Sequence, residues 1–269
     1  MPTLSIVICG NYNPHIHVFP CLCGIVFSTN NHNKEYLQKG FDGAVHMFYN
    51  GIFNSPDDAA GNAVQMAVNK NGHLYFTYFP QSKDMLVEFG IAFYQKFLEG
   101  NIGALSNSTK KFQDFVSRYG NEGAIVSMHS RGTLTGGNGL RDLEERGIHG
   151  IAKKTDFYLF GSAAHAQSIA NTVDYLSDGE KNYVYVQGHI LDPISTIIGS
   201  NWPTAYGVRS KPYDSLHPLI LPLREMGGAI IGYNPSTHNC YGDAGSDYRR
   251  DYGSFGFKKL YSTKMGNKK

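Results

Sequence analysis

Residues 124–133 read Ala-Ile-Val-Ser-Met-His-Ser-Arg-Gly-Thr, and this stretch decides which fold the chain can adopt. It opens with a short apolar run that is typical of a buried β-strand, and a polar turn follows at Ser130. Gly132 stands two positions after this serine, where a sharp turn from strand to helix requires a small residue. The stretch therefore predicts a strand, a tight turn that presents Ser130, and a helix.

This arrangement is nearly the G-x-S-x-G nucleophile elbow, in which a strained turn lifts a serine hydroxyl above the sheet. Met128 departs from the pattern, because the position two before the serine is normally small, and we expect the adjoining strand to supply the slack. Three glycines within 136–139 each cost about 1 kcal/mol in a helix interior. We therefore expect either a break at Asn138 or a close backbone approach. The alternative interpretation is that Ser130 is an ordinary turn serine.

Short β-rich runs alternate with longer helical runs along most of the chain. Strands are predicted near 45–49, 73–79, 124–127, 156–160 and 183–186, and helices near 56–69, 84–98, 108–119 and 164–177. This alternation indicates an α/β fold with a mostly parallel sheet and helices on both faces, and together with the elbow it favours an α/β-hydrolase-like architecture. In such sheets the functional residues gather at the carboxyl ends of the strands.

The 269 residues fit one large domain. Residues 44–269 are predicted to form the α/β-hydrolase-like catalytic domain, and residues 1–43 to pack on it or to form edge strands. We expect no membrane-spanning helix, because no run of 18 apolar residues occurs. Three lysines near the end, Lys264, Lys268 and Lys269, are predicted to lie in a frayed, solvated tail.

Charge and cysteine content exclude several classes of function. With 24 basic and 22 acidic residues the net charge is only +2, so we expect no nucleic-acid partner, which would need a concentrated basic face. Four cysteines occur, at Cys9, Cys21, Cys23 and Cys240. They lack a second ligand pair at zinc-like spacing, so we predict no metal site and no cofactor. A disulfide remains an alternative outside a reducing compartment.

An activated serine needs a base, and the base needs an acid that fixes its tautomer; in α/β-hydrolases these follow in the order serine, acid, histidine. Asp192 is the predicted acid, because it follows the strand near 183–186. Its alternative role is to cap the structure that begins at Pro193. Asp214 is a weaker candidate. Two further aspartates, which we expect on a solvated helix surface, are Asp174 and Asp178.

His238 is the predicted base, since it lies in a polar loop after a β-like run at 229–231. His189 is too close in sequence to the predicted acid to fit the expected order. His217 stands before an apolar run, where a packed histidine is usual, and His129 is expected to pack or to line the elbow.

An oxyanion hole needs one backbone N–H directly after the serine and another from the loop after an early strand. Arg131 supplies the first of these. The second is predicted at Gly51 or Ile52, which follow the strand at 45–49. The alternative is a simple turn before the helix that begins near Pro56.

Several short motifs resemble those of lipase-like α/β-hydrolase domains found in the C-terminal regions of large secreted bacterial proteins of the filamentous-haemagglutinin and polymorphic-toxin type. The stretch 48–60 resembles their "NGI-N-P-AA" motif, 128–133 their "HS-x-GT" box, 192–201 their "DPVS…GGN" box, and His238 followed by Tyr241 their final histidine motif. The resemblance covers residues 44–242.

The resemblance implies a carboxylic-ester hydrolase with Ser130, Asp192 and His238 as its triad, acting on a small-molecule ester or on a lipid or phospholipid through an acyl-enzyme. It also implies a secreted antibacterial effector delivered into a target cell, with a membrane surface and an immunity or carrier protein as partners. Two alternatives remain. One is a non-catalytic binding or structural module that keeps the fold, which Met128 favours; the other is acyl transfer to an alcohol.

Overall fold

An eight-stranded sheet forms the centre of the computed structural model, which describes residues 3–9, 24–29, 36–51, 56–68, 72–78, 107–206, 238, 241–242 and 256–264. The strands are β1 (Thr3–Cys9), β2 (Gly24–Thr29), β3 (Val45–Tyr49), β4 (Gly72–Tyr78), β5 (Ala124–His129), β6 (Thr155–Phe160), β7 (Tyr183–Gln187) and β8 (Lys258–Tyr261). Their spatial order is β2-β1-β4-β3-β5-β6-β7-β8. The central run from β4 to β7 is parallel, and β1, β2 and β8 pair antiparallel at the two edges.

In the described ranges, four α-helices cover the two faces of this sheet: α1 (Pro56–Met66), α2 (Asn107–Tyr119), α3 (Arg131–Glu145) and α4 (Ala166–Leu176). Successive residues of a strand point to opposite faces. On β3, Phe48 packs in the cluster that includes α1, whereas Tyr49 packs in the cluster that includes α2, α3 and α4. Because β3 and β5 are buried along their whole length, both faces of these strands carry apolar residues and their sequences do not alternate between apolar and polar.

The predicted α/β class with a mostly parallel sheet is confirmed. The strands expected between 45 and 186 occur within two residues of the predicted bounds, and the helices expected near 108–119 and 164–177 occur as α2 and α4. The helix expected at 84–98 and the β-like run at 229–231 lie outside the described residues. The two N-terminal strands extend the sheet beyond β4, with β1 pairing along Thr3–Cys9.

The prediction of a frayed tail is wrong for the segment around Lys264. Residues 258–261 form β8 against β7, and the Lys264 ammonium group forms an ion pair with Glu144 on α3. Lys259 lies 4.3 Å from the centre of the Tyr183 ring, a cation–π contact that ties this polar edge strand to its neighbour. Lys268 and Lys269 lie outside the described residues.

Helix α3 is continuous from Arg131 to Glu145 despite its glycines, so of the two expected alternatives the break at Asn138 does not occur. The glycines instead allow close packing. A Cβ atom on Gly136 would lie 2.2 Å from Sδ of Met128, and one on Gly139 would lie 2.8 Å from Cδ1 of Phe112. Met128 is fully buried at this contact. The space for Met128, two positions before Ser130, is therefore provided by helix α3 and not, as expected, by the adjoining strand.

Within the described segments, no helix is both long enough and apolar enough to cross a membrane.

The fit between Met128 and Gly136 predicts strong coupling between substitutions at the two positions. Met128→Ala alone should destabilise the fold by about 2–5 kcal/mol through a cavity, and Gly136→Ala alone by about 1–3 kcal/mol through overpacking. The cavity left by Met128→Ala accommodates the methyl group of Gly136→Ala. The unfolding free energy of the double variant, measured by chemical denaturation, should therefore be at least about 1 kcal/mol higher than the sum of the two single effects predicts.

Gly61→Ala on α1 is the matched control, because a Cβ at Gly61 has no heavy atom within 4 Å. It should stabilise the protein by up to about 1 kcal/mol through helix propensity. Additive effects of the Met128 and Gly136 substitutions would contradict the proposed packing.

Candidate active site

Ser130 lies at the junction of β5 and α3 in a backbone conformation that side chains rarely adopt, with φ 52° and ψ −121°. Such a conformation costs on the order of 1–3 kcal/mol and persists only where the surroundings enforce it. Here the Ser130 amide donates to the Phe160 carbonyl at 3.2 Å. The amide and hydroxyl of Thr133 in turn donate to the Ser130 carbonyl at 3.0 and 2.6 Å.

Close backbone contacts bring the loop after β3 against this turn. A Cβ atom on Gly132 would lie 2.2 Å from the Tyr49 carbonyl oxygen, so no larger residue fits there. A Cβ on Gly51 would lie 3.1 Å from Cβ of Ser130 and 3.6 Å from its Oγ. The Asn50–Gly51 turn and Ser130 are therefore neighbours, as the carboxyl ends of adjacent parallel strands should be.

Asp192 and His238 form a buried hydrogen-bonded pair. Nδ1 of His238 lies 3.0 and 2.9 Å from the two carboxylate oxygens of Asp192. Asp192 is fully buried and His238 is 5% exposed. Because the carboxylate can only accept, Nδ1 carries the proton when the ring is neutral, and Nε2 then has the lone pair that a general base needs.

The Asp192 carboxylate has further donors. Its Oδ1 accepts the amides of Ile194 at 2.9 Å and Ser195 at 3.3 Å, at the start of a single turn of π-helix. Its Oδ2 accepts the Tyr241 hydroxyl. The alternative capping role for Asp192 and the contact with His238 therefore coexist.

Burial alone would raise the pKa of Asp192. The charge of His238 and the hydrogen bonds from His238, Tyr241 and the Ser195 amide outweigh it and hold the pKa of this carboxyl below its ordinary value.

Gly161, directly after β6, packs against the Asp192–His238 pair. Its φ is +48°, and a Cβ there would lie 2.8 Å from Oδ2 of Asp192, 3.0 Å from Nδ1 of His238 and 2.6 Å from Tyr241. Only a glycine therefore leaves room for the pair at this point. The sequence carried a usable signal, since a glycine at the end of a buried strand is typical of a close approach.

His129 contacts His238 and directly precedes Ser130 in the chain. Its Nε2 lies 2.8 Å from the carbonyl oxygen of His238, and the two imidazole rings have centroids 4.7 Å apart. Burial and then the nearby His238 lower the pKa of His129 to about 3, so this ring is neutral at physiological pH. The sequence placed His129 at the elbow but did not indicate this contact.

Between Ser130 and His238, both of which the structure describes, no hydrogen bond is formed. Catalytic hydrogen bonds of this kind are often long before substrate binds and shorten in the reactive complex. Ser130 is adjacent in sequence to His129, which binds the His238 main chain, so the predicted nucleophile and base share one neighbourhood.

The predicted oxyanion donors have different environments. Arg131 begins α3, so its amide lies at the positive end of the helix dipole and next to Ser130. The Gly51 amide donates to Oδ1 of Asn50 at 2.8 Å, and its role as a donor to substrate stays a prediction. Ile52 lies outside the described residues.

The other candidates occupy separate positions. His189 is fully buried, its amide donates to the Tyr241 hydroxyl at 3.1 Å, and its Nδ1 accepts the Leu191 amide. Asp178 lies at the surface just after α4 and pairs with Lys153. His217, Asp214 and three of the cysteines lie outside the described residues. Among the residues with described positions, no cluster of three His, Cys, Asp or Glu side chains could hold a metal ion.

Comparison of the chain with protein-family models, with curated proteins and with solved structures gives no match.

The environment of His129 predicts acid destabilisation between about pH 6.5 and pH 3. The unfolded chain takes up a proton at His129 below about pH 6.5, whereas the folded protein does so only near pH 3. Stability should therefore fall with decreasing pH in this window, by up to about 1.4 kcal/mol per pH unit from this residue.

His129→Gln should remove that contribution, so the difference in unfolding free energy between wild type and variant should change steadily from pH 6.5 to pH 3. Ser127→Ala, on the same strand, removes no titratable group and is the control, so it should leave the wild-type slope almost unchanged. Parallel stability profiles for wild type and His129→Gln would show that His129 titrates normally.

Proposed function

We propose that the chain is a serine hydrolase of the α/β-hydrolase type that cleaves carboxylic esters through an acyl-enzyme on Ser130. The observation that carries the proposal is the buried Asp192–His238 pair beside a serine held at positive φ. The three residues follow in the chain order of that fold, and each lies beyond the carboxyl end of a strand or in a loop packed there. The lipase-like motifs quoted from the sequence add independent support.

In the proposed mechanism, Nε2 of His238 takes the hydroxyl proton of Ser130 as Oγ attacks the ester carbonyl carbon. The resulting oxyanion accepts the Arg131 amide and a second amide from the loop after β3. The imidazolium of His238, stabilised by Asp192, then protonates the departing alcohol oxygen as the carbon–oxygen bond breaks. Water attacks the acyl-enzyme by the same route, which releases the acid and restores Ser130.

A lipid ester is the substrate class that the surface near Asp192 favours. Several large apolar side chains between residues 190 and 206 are exposed: Ile190, Ile197, Ile198, Trp202 and Tyr206. Trp202 is 88% exposed, and no Lys, Arg, Asp or Glu occurs at 193–206. An exposed segment that carries tryptophan and tyrosine and no charged residue suits an acyl chain or a lipid–water interface. We therefore propose that the segment from 190 to 206 contacts a membrane surface.

The lipase-like motifs resemble those of large secreted bacterial proteins, and this resemblance suggests a biological role. We propose that the chain acts as a secreted antibacterial effector in a target cell, with an immunity or carrier protein as its partner.

Hydrolysis of p-nitrophenyl esters of increasing acyl length, and of phosphatidylcholine vesicles, tests the proposed chemistry. Ser130→Ala and His238→Gln should each lower kcat by about 10⁴-fold or more, and Asp192→Asn by about 10³–10⁴-fold, because the three groups act as a unit. Activity should rise with acyl length.

Ser127→Ala is the matched control on the same strand. The Ser127 hydroxyl is buried and has no hydrogen-bond partner in the part of the chain that the structure describes, so its removal should leave stability and activity close to wild type. Full activity in Ser130→Ala would exclude Ser130 as the nucleophile. A folded wild type that cleaves none of these esters would instead favour the non-catalytic module.

A further inference from the structure

Two histidines that are 109 residues apart in the chain meet at the candidate site. His129 ends β5, which is buried along its whole length between β3 and β6. Its Nε2 lies 2.8 Å from the carbonyl oxygen of His238. A side chain carried by the most central part of the sheet therefore binds the main chain of the residue that we propose as the base.

The chemistry of this contact fixes the tautomer of His129. A carbonyl oxygen can only accept, so Nε2 must carry the proton. A neutral imidazole has one N–H group, and Nδ1 of His129 is therefore unprotonated. Among the described residues this buried atom has no hydrogen-bond partner, and it faces the backbone of Gly51, where a Cβ would lie 3.3 Å away. The ring is thus held between the Gly51 backbone and His238.

We propose that His129 is a positioning residue for the base: its Nε2–H group binds the His238 carbonyl, and its ring packs against the His238 imidazole. This inference rests on the proposed hydrolase function. Because Ser130 follows His129 directly in the chain, the contact fixes the position of the base relative to the nucleophile. Misplacement of a catalytic group by about 1 Å can cost about 10²-fold in rate.

The neutrality of His129 is part of this role. The proposed mechanism creates a positive charge on His238, and a second imidazolium with its centroid 4.7 Å away would oppose it. Of the described residues, the titratable groups facing His129 are His238, Asp192 and Tyr241. The Asp192 carboxylate is the anion among these three, and both other groups bind it. A neutral ring at 129 provides the hydrogen bond without adding charge.

Three substitutions separate the hydrogen bond from the packing. His129→Gln places an amide N–H at the reach of Nε2, whereas the amide of His129→Asn reaches only the position of Nδ1. His129→Phe fills the ring volume without a donor. Relative to wild type, the Asn and Phe variants should lose about 10²-fold in kcat with KM within about threefold, and the Gln variant should regain at least about tenfold of that loss.

The measurement is the pH profile of kcat and of KM with a p-nitrophenyl ester, on variants shown by thermal unfolding to be folded, with Ser127→Ala as the control. Equal kcat for the folded Gln and Phe variants, whether high or low, would overturn the positioning role. A wild type without esterase activity would speak against the proposed function instead.

Nitrogen NMR of the wild-type protein tests the same inference without depending on the folding of any variant. His129 should show a protonated Nε2 and an unprotonated Nδ1 from pH 8 to pH 4. A proton on Nδ1, or titration near pH 6.5, would overturn the proposal even if the protein is an active hydrolase.

Discussion

Asp192 places a carboxylate in the protein interior beyond the carboxyl end of β7, where its side chain is fully buried. A buried charge is tolerated only with hydrogen-bonding partners, and five contacts from His238, Tyr241, Ile194 and Ser195 supply them. This requirement brings the segment that contains His238 and Tyr241 against the ends of the central strands. Gly161 is the local consequence, because any side chain there would collide with the pair.

The strained turn at Ser130 depends on a different set of contacts. Met128 exceeds the size usual at its position in an elbow, and Gly136 on the following helix makes room for it. Gly132 and Gly51 then allow the β3 loop to approach the serine. The strand therefore carries a large residue where an elbow usually has a small one, and the helix carries a glycine opposite it, so the turn at Ser130 keeps its conformation. Met128 is accommodated, so it no longer favours a module without activity.

Much of the fold was predictable because the central strands are short, mostly apolar runs, and because apolar residues recur at helical spacing in α2 and α4. Helix α3 was harder, since its glycines lower helix propensity and only tertiary packing against Met128 and Phe112 explains them. Strand β8 was missed because its sequence, Lys-Lys-Leu-Tyr, is that of a polar edge strand whose stability comes from pairing with β7.

In the site, the order of Ser130, Asp192 and His238 was visible in the sequence, and the structure brings Asp192 and His238 into contact. The engagement of the Gly51 amide by Asn50 was not visible, because a hydrogen bond between neighbouring residues depends on side-chain rotamer rather than on residue type. The contact of His129 with His238 was equally hidden, since it joins the end of β5 to a residue 109 positions later in the chain.

Covalent labelling is the direct test of whether Ser130 is a nucleophile activated by the Asp192–His238 pair. The full chain would be treated with a fluorophosphonate, and the modified residue located by peptide mass spectrometry. An activated Ser130 should give a single adduct that forms rapidly in the wild type and is almost lost in His238→Gln. An adduct on another residue, or none on folded protein, would contradict it.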